Sequence, residues 1–143
     1  MTGGVSTEEM DGLLDGLLGV TQAVQHAVAA VAARHELTSQ QVGLLRMLEE
    51  PVSMREFAED RSCDPSNVTG LVDRAERLGL VARTSNPRDR RVRMLELTEE
   101  GRRMRAQVTR ELAVEVRAAL GITDDDAKVA RLLRSLGPGA RRC

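Results

Sequence analysis

Between Asp64 and Leu97 the chain carries residues whose types and spacing suit contact with a polyanion. Asp64-Pro65 is a helix start: the carboxylate can cap free backbone N–H groups, and Pro at the first helical position forfeits no hydrogen bond. Behind it, Val68, Leu71, Val72, Ala75 and Leu78 recur at helical spacing and predict one buried stripe. Ser66, Asn67, Thr69, Gly70, Asp73 and Arg74 take the other face. That face is short, polar and uncluttered, able to approach base edges in a major groove. Asn can bond adenine bidentately, and Ser and Thr are tolerant readers. Simple local capping is the competing role for Ser66 and Asn67. Arg74 suits a phosphate, with an ion pair to Asp73 or Glu76 as its alternative.

Gly79 is predicted to stop this helix, with a strand over Leu80 to Thr84 after it. Asn86-Pro87 signals a turn, and Val92 to Leu97 can return as the partner strand. The tip holds Arg88, Arg90 and Arg91 around Asp89. Exposed ion pairs contribute only about 0–1 kcal/mol, so stability alone does not account for such a tip. Guanidinium groups do bind phosphate and enter narrow minor grooves.

The remaining elements must position this pair. Ser6 with Glu9 forms a capping box, and Leu13, Leu14, Leu17, Val20, Val24, Val28 and Val31 trace one helix to about Arg34. A helix of that length, on the order of 40 Å, exceeds what a small winged lobe can cover, so much of its stripe is expected to meet a partner subunit. Thr38 and Gln41 open a second helix, ended by Glu49-Glu50-Pro51, and Ser53 and Glu56 open a short third one. The third and the Asp64 helix stand at helix-turn-helix spacing, which places Arg55 to reach the DNA backbone. Thr98 caps a long helix through Met104, Val108, Leu112, Val116 and Leu120, and Thr123 starts a last one ending at Gly137.

At 143 residues with 41% hydrophobic content, the chain suits one domain with a respectable core. Aromatic content is 1%, Phe57 being its sole source, which argues against base-stacking recognition of single strands. The net charge of −1 hides an uneven distribution. Residues 1–50 carry 2 basic and 7 acidic groups, whereas residues 51–110 carry 13 and 10. No long uncharged apolar run is expected to span a bilayer. Glu8, Glu9, Asp11 and Asp15 are unlike the basic start of a signal peptide. A cytoplasmic protein without membrane contact is expected.

Asp64-Pro65-Ser66-Asn67-Val68-Thr69-Gly70-Leu71-Val72-Asp73-Arg74 resembles the recognition helix of MarR-type (multiple antibiotic resistance regulator) winged helix-turn-helix repressors. Asn86-Pro87-Arg88-Asp89-Arg90-Arg91 resembles their wing, and Leu97-Thr98-Glu99-Glu100-Gly101 the start of their following helix. The three motifs keep the family's order and spacing. The resemblance implies a mainly α fold with a small β-hairpin wing. It implies a single domain over 1–143, with a winged DNA-binding lobe at 36–97 and dimerisation helices at 6–35 and 98–137. It further implies a homodimer that binds a pseudo-palindromic operator in double-stranded DNA, represses transcription, and lets go when a small amphipathic or phenolic effector binds.

By the same resemblance Arg91 enters the minor groove, since Asp89-Arg90-Arg91 matches the family's Asp-x-Arg wing element. Asp89 would orient it, and Arg88 and Arg90 would bind phosphate. Where relatives often carry Arg, this chain has Gly70, which removes a long reading side chain. His26 and Arg46 are candidate contacts for an anionic effector in the crevice between the long helices and the lobe.

Other readings are weaker. Cys63 just before the reading helix could sense oxidants, with Arg61 and the helix N-terminus favouring a thiolate and Asp60 and Asp64 disfavouring it, but packing as a small residue in the turn is the preferred reading. His26 and His35 have no cysteine or carboxylate cluster at metal spacing, so neither metal nor cofactor is expected. A protein–protein adaptor would use the same helix face without needing the arginine tip. An enzyme centred on Cys63 or a serine lacks a visible base–nucleophile pairing.

Overall fold

The computed structural model describes residues 6–61 and 65–122. Its elements run α1 (Thr7–Arg34), α2 (Ser39–Met47), β1 (Val52–Ser53), α3 (Met54–Arg61), α4 (Pro65–Arg77), β2 (Val81–Ser85), β3 (Arg93–Leu97) and α5 (Glu99–Leu120). Three helix starts follow one device. Ser6, Thr38 and Ser53 each accept the backbone N–H three residues on, and Glu9, Gln41 and Glu56 return a side-chain bond to the cap N–H. Each box satisfies two backbone donors that the first turn leaves without a helical partner.

The strands form an antiparallel sheet in the order β1-β3-β2. β2 and β3 pair with Val81 opposite Leu97 and Arg83 opposite Leu95, while Val52 of β1 sits opposite Leu95. In β3 Leu95 and Leu97 are buried and Met94 and Glu96 half-buried, so the Met94-Leu95 adjacency is the normal two-faced alternation of a strand. β1 was not anticipated: a two-residue strand has no periodicity of its own and exists because β3 offers it an edge.

One core joins Leu44, Leu45 and Leu48 of α2, Phe57 of α3, Val68, Leu71, Val72 and Ala75 of α4, and Leu80, Val81, Leu95 and Leu97. A second joins Val31 and Ala32 of α1 to Val42 of α2 and Val108 and Leu112 of α5. Leu37 and Met104 pack against both, so lobe and long helices share a continuous interior. Polar ties reinforce the second: Glu111 of α5 takes His35 Nε2 at 3.0 Å and Arg34 at 3.4 Å, and Arg34 also pairs with Glu115. Burial pushes the Glu111 carboxyl up, but the bonds from His35, Gln107 and Arg34 outweigh it and hold the group below its ordinary value.

The N-terminal half of α1 projects from this body. Met10, Leu13, Leu14, Leu17, Leu18 and Val20 are all exposed, Leu18 by 66%. The expectation that no uncharged run could span a bilayer is corrected here: residues 16–33 carry no formal charge, and α1 is long and apolar enough to cross a membrane by length and composition. Gln22, Gln25 and His26 interrupt that run, and Ala27, Val31 and Ala32 are buried within the protein. Leu78 is also corrected, from buried stripe to half-exposed at 51%. The predicted last helix, the Asp64 cap, Cys63 and Cys143 lie outside the described residues.

α4 ends in a Schellman arrangement. The Gly79 N–H donates to the Glu76 carbonyl at 2.9 Å and the Leu80 N–H to the Ala75 carbonyl at 3.0 Å, with Gly79 at φ +70°. α5 is fastened to that turn. The Thr98 N–H donates to the Leu80 carbonyl at 3.1 Å and its hydroxyl to the Gly79 carbonyl, while the same hydroxyl caps Gly101 N–H at 3.0 Å. Gly101 is there for closeness: a Cβ would stand 1.8 Å from the Leu80 carbonyl oxygen. Gly101→Ala must push backbone from backbone, so it is expected to cost about 1–3 kcal/mol or more in urea unfolding. An unchanged midpoint would refute the close contact.

Candidate nucleic-acid interface

Burying Val68, Leu71, Val72 and Ala75 turns the opposite face of α4 outward. Asn67 and Thr69 are exposed on it, Gly70 is half-buried, and Ser66 lies in the first turn. The gap at Gly70 is not empty. A Cβ there would meet Arg74 Nη1 at 3.6 Å, so the Arg74 guanidinium lies over the glycine. The alternative pairing of Arg74 with Asp73 or Glu76 does not occur, because Arg83 on β2 holds both carboxylates. The Asp73 hydrogen bond leads in raising the Arg83 pKa further above its ordinary value.

The wing is a folded turn. Asn86 N–H donates to the Val92 carbonyl at 3.0 Å, closing the loop between β2 and β3. Asn86 Oδ1 accepts the Arg88 N–H at 2.9 Å and Asp89 Oδ1 the Arg91 N–H at 3.0 Å, two Asx turns in succession. Asp89 thus orients Arg91 through the backbone, and its carboxylate does not pair with the Arg91 guanidinium. Arg88, Arg90 and Arg91 are all exposed.

Ion pairing divides the arginines. Arg34, Arg55, Arg83, Arg103 and Arg105 each hold a carboxylate. Arg74, Arg77, Arg88, Arg90, Arg91 and Arg93 form no ion pair among the described residues. These six lie on α4, the wing and the first residue of β3 and are all exposed; Arg46 on α2 and Arg102 and Arg110 on α5 also form no ion pair among the described residues. Arg77 and Arg93 were missed by sequence reasoning; Arg93 could have been found as the next outward position of the returning strand. Arg55 is highly exposed (87%) but bonds Glu59 at 2.8 Å, so it is not standing free for a phosphate. A cleft of about 580 Å3 runs between α3 and the wing base, bringing Arg55, Arg91 and Arg93 around Met54, with Glu56 and Glu59 on its wall.

The two expected effector contacts stand apart from the two clefts formed by described residues. His26 on α1 and Arg46 on α2 are both exposed and line neither this cleft nor the smaller one of about 380 Å3 at Met47, Val52 and Phe57. Among the described residues no three His, Cys, Asp or Glu side chains come together as a metal site.

The family model described as the MarR family matches residues 37–92. The HTH-type transcriptional repressor MdtR of Bacillus subtilis is 37% identical over 87 residues, which make up 59% of this chain and 56% of that protein. The chain therefore spans little more than half of that relative's length. Among solved structures, a MarR-family transcriptional regulator from Rhodococcus sp. RHA1 superposes with a TM-score of 0.73 at 28% identity, over 93% of this chain and 94% of that one. A mutant MarR from Escherichia coli, solved in complex with operator DNA, shares the fold with a TM-score of 0.70 at 22% identity, over 91% and 96%.

The Ser53–Glu56 box holds α3 at the cleft, and Ser53 lowers the Glu56 carboxyl through side-chain and then backbone hydrogen bonding. A depressed carboxyl lends stability above its unfolded pKa and loses it as pH falls through the folded value. Ser53→Ala should therefore lower the thermal midpoint at pH 7, with the gap to wild type narrowing below the ordinary carboxylate range. A gap that widens on acidification would contradict the assignment.

Proposed function

We propose that the chain is a MarR-family transcription regulator, a repressor, that binds operator DNA as a homodimer. The observation that carries the reading is the gathering of unpaired guanidinium groups at Arg74, Arg77, Arg88, Arg90, Arg91 and Arg93 beside the exposed Asn67 and Thr69. The α4 face enters the major groove, with Ser66, Asn67 and Thr69 at base edges and Arg74 on phosphate. The wing enters the flanking minor groove through Arg91, while Arg88 and Arg90 hold the backbone. A regulator from Escherichia coli with this fold has been solved on operator DNA, which supports the same use of the lobe.

Dimerisation is supported by the exposed α1 stripe. A contiguous row of Met10, Leu13, Leu14, Leu17 and Leu18 is costly to leave in water, and a second copy covers it by two-fold symmetry. Such a dimer reads two half-sites about one helical turn apart, roughly 34–36 Å. A small amphipathic or phenolic effector, reached by His26 and Arg46, would release DNA by favouring a different spacing of the two reading helices, and only to the extent that it binds that spacing better. The protein works in the cytoplasm.

Fluorescence anisotropy on labelled DNA from upstream of its own gene tests this. Wild type should lose affinity steeply with salt. Arg91→Ala should weaken binding by about tenfold or more and reduce the salt slope by about one. Binding indifferent to salt and to Arg91 would end the DNA reading. Leu14→Glu with Leu17→Glu should convert the dimer to a monomer in sedimentation and weaken operator binding in parallel; a double variant that stays dimeric would refute the α1 interface.

A further inference from the structure

The reading face of α4 contains a charge of the wrong sign. Asp73 follows Thr69 by four residues and Gly70 by three, so it stands on the outward face one turn beyond the proposed base readers. Glu76 follows Asp73 by three and continues the same flank. DNA presents a negative charge about every 1.7 Å along its axis. Two carboxylates facing it uncompensated would oppose every phosphate contact made by Arg74 and the wing.

Neither carboxylate is uncompensated. Arg83 reaches from β2 with Nη2 to Asp73 and with Nη1 to Glu76. Its side chain is 25% exposed, against 44% for Asp73 and 40% for Glu76, so the cation is the most sheltered member of the trio. The root of Arg83 is fixed by register, opposite the fully buried Leu95 in the β2–β3 ladder. Its planar fork offers separate N–H groups to the two acceptors, which a lysine could not do in fixed geometry. In contrast to Arg74 and Arg77, it is committed inward and away from a ligand.

We propose that Arg83 is a positioning residue for DNA binding: it neutralises Asp73 and Glu76 and draws them aside, so that α4 meets phosphate without like-charge repulsion. The inference rests on the DNA reading above. It assigns Arg83 no contact with DNA; its effect passes entirely through the two carboxylates.

The test compares wild type, Arg83→Met, Asp73→Asn/Glu76→Gln, and the triple variant combining them, by anisotropy across a salt series, with circular dichroism to verify folding. Arg83→Met should bind roughly ten times more weakly, because two negative charges are uncovered beside DNA. Removing those charges in the triple variant should restore affinity to within about threefold of wild type, since residues in one network do not add. The carboxylate pair variant alone should bind at least as tightly as wild type. A triple variant as weak as Arg83→Met, with a salt slope lower by about one, would mean that Arg83 touches phosphate itself and would overturn the shielding. If Arg83→Met does not fold, the pair variant decides: marked loss of affinity in it overturns the proposal. Wild type that fails to bind DNA at all removes the underlying reading, and that result is distinct from a failed rescue.

Discussion

A single helix has to satisfy two incompatible surfaces, and the lobe is arranged around that demand. α4 must bury Val68, Leu71, Val72 and Ala75 deeply enough to be held rigid. In the proposed function its other side must carry little bulk, so that a groove edge can approach. Each fully buried Val or Leu is worth about 1.5–3 kcal/mol, so the inner face can fix the helix without apolar packing on the outer one. α2 supplies Leu44, Leu45 and Leu48 beneath it, and the sheet supplies Val81, Leu95 and Leu97. The reading residues are free to be short because the packing is done elsewhere.

The same helix is tied to the rest of the chain at its C-terminal end. The carbonyls of Gly79 and Leu80, just past α4, are the acceptors for Thr98 at the start of α5. The bare Cα of Gly101 lets the two elements close on each other. α5 continues to Val108 and Leu112, where it meets α1. The start of α5 is thus joined to the α4 turn by one backbone hydrogen bond and one from the Thr98 hydroxyl.

Local signals in the sequence were good where the physics is local. The capping boxes at Ser6–Glu9, Thr38–Gln41 and Ser53–Glu56 formed as their spacing predicts, and Gly79 adopted the left-handed turn that ends α4. What escaped depends on pairs far apart in the chain. β1 owes its existence to β3, residues 52–53 meeting 94–95. Asp73 and Glu76 looked like partners for Arg74, their near neighbour on the helix, but the sheet delivers Arg83 to them. The Arg55–Glu59 pair was legible from i,i+4 spacing and changes what Arg55 is free to do. The α1 composition misleads, since a helix that buries Ala27, Val31 and Ala32 in its own protein and exposes an apolar stripe in its N-terminal half has the hydropathy of a membrane span.

Charge is placed with economy. Arg34, Arg55, Arg103 and Arg105 are paired with glutamates, whereas the wing arginines and Arg74 and Arg77 of α4 form no ion pair among the described residues. A chain with a net charge of −1 can therefore still present a cationic edge. The most direct test of a two-fold, double-stranded DNA reader is selection of bound sites from a random duplex pool by the wild-type protein. The selected sequences should converge on a pseudo-palindrome whose half-site centres lie about 10–10.5 base pairs apart. A pool that stays random, or that converges on a single asymmetric half-site, would contradict the symmetric reading head proposed for this protein.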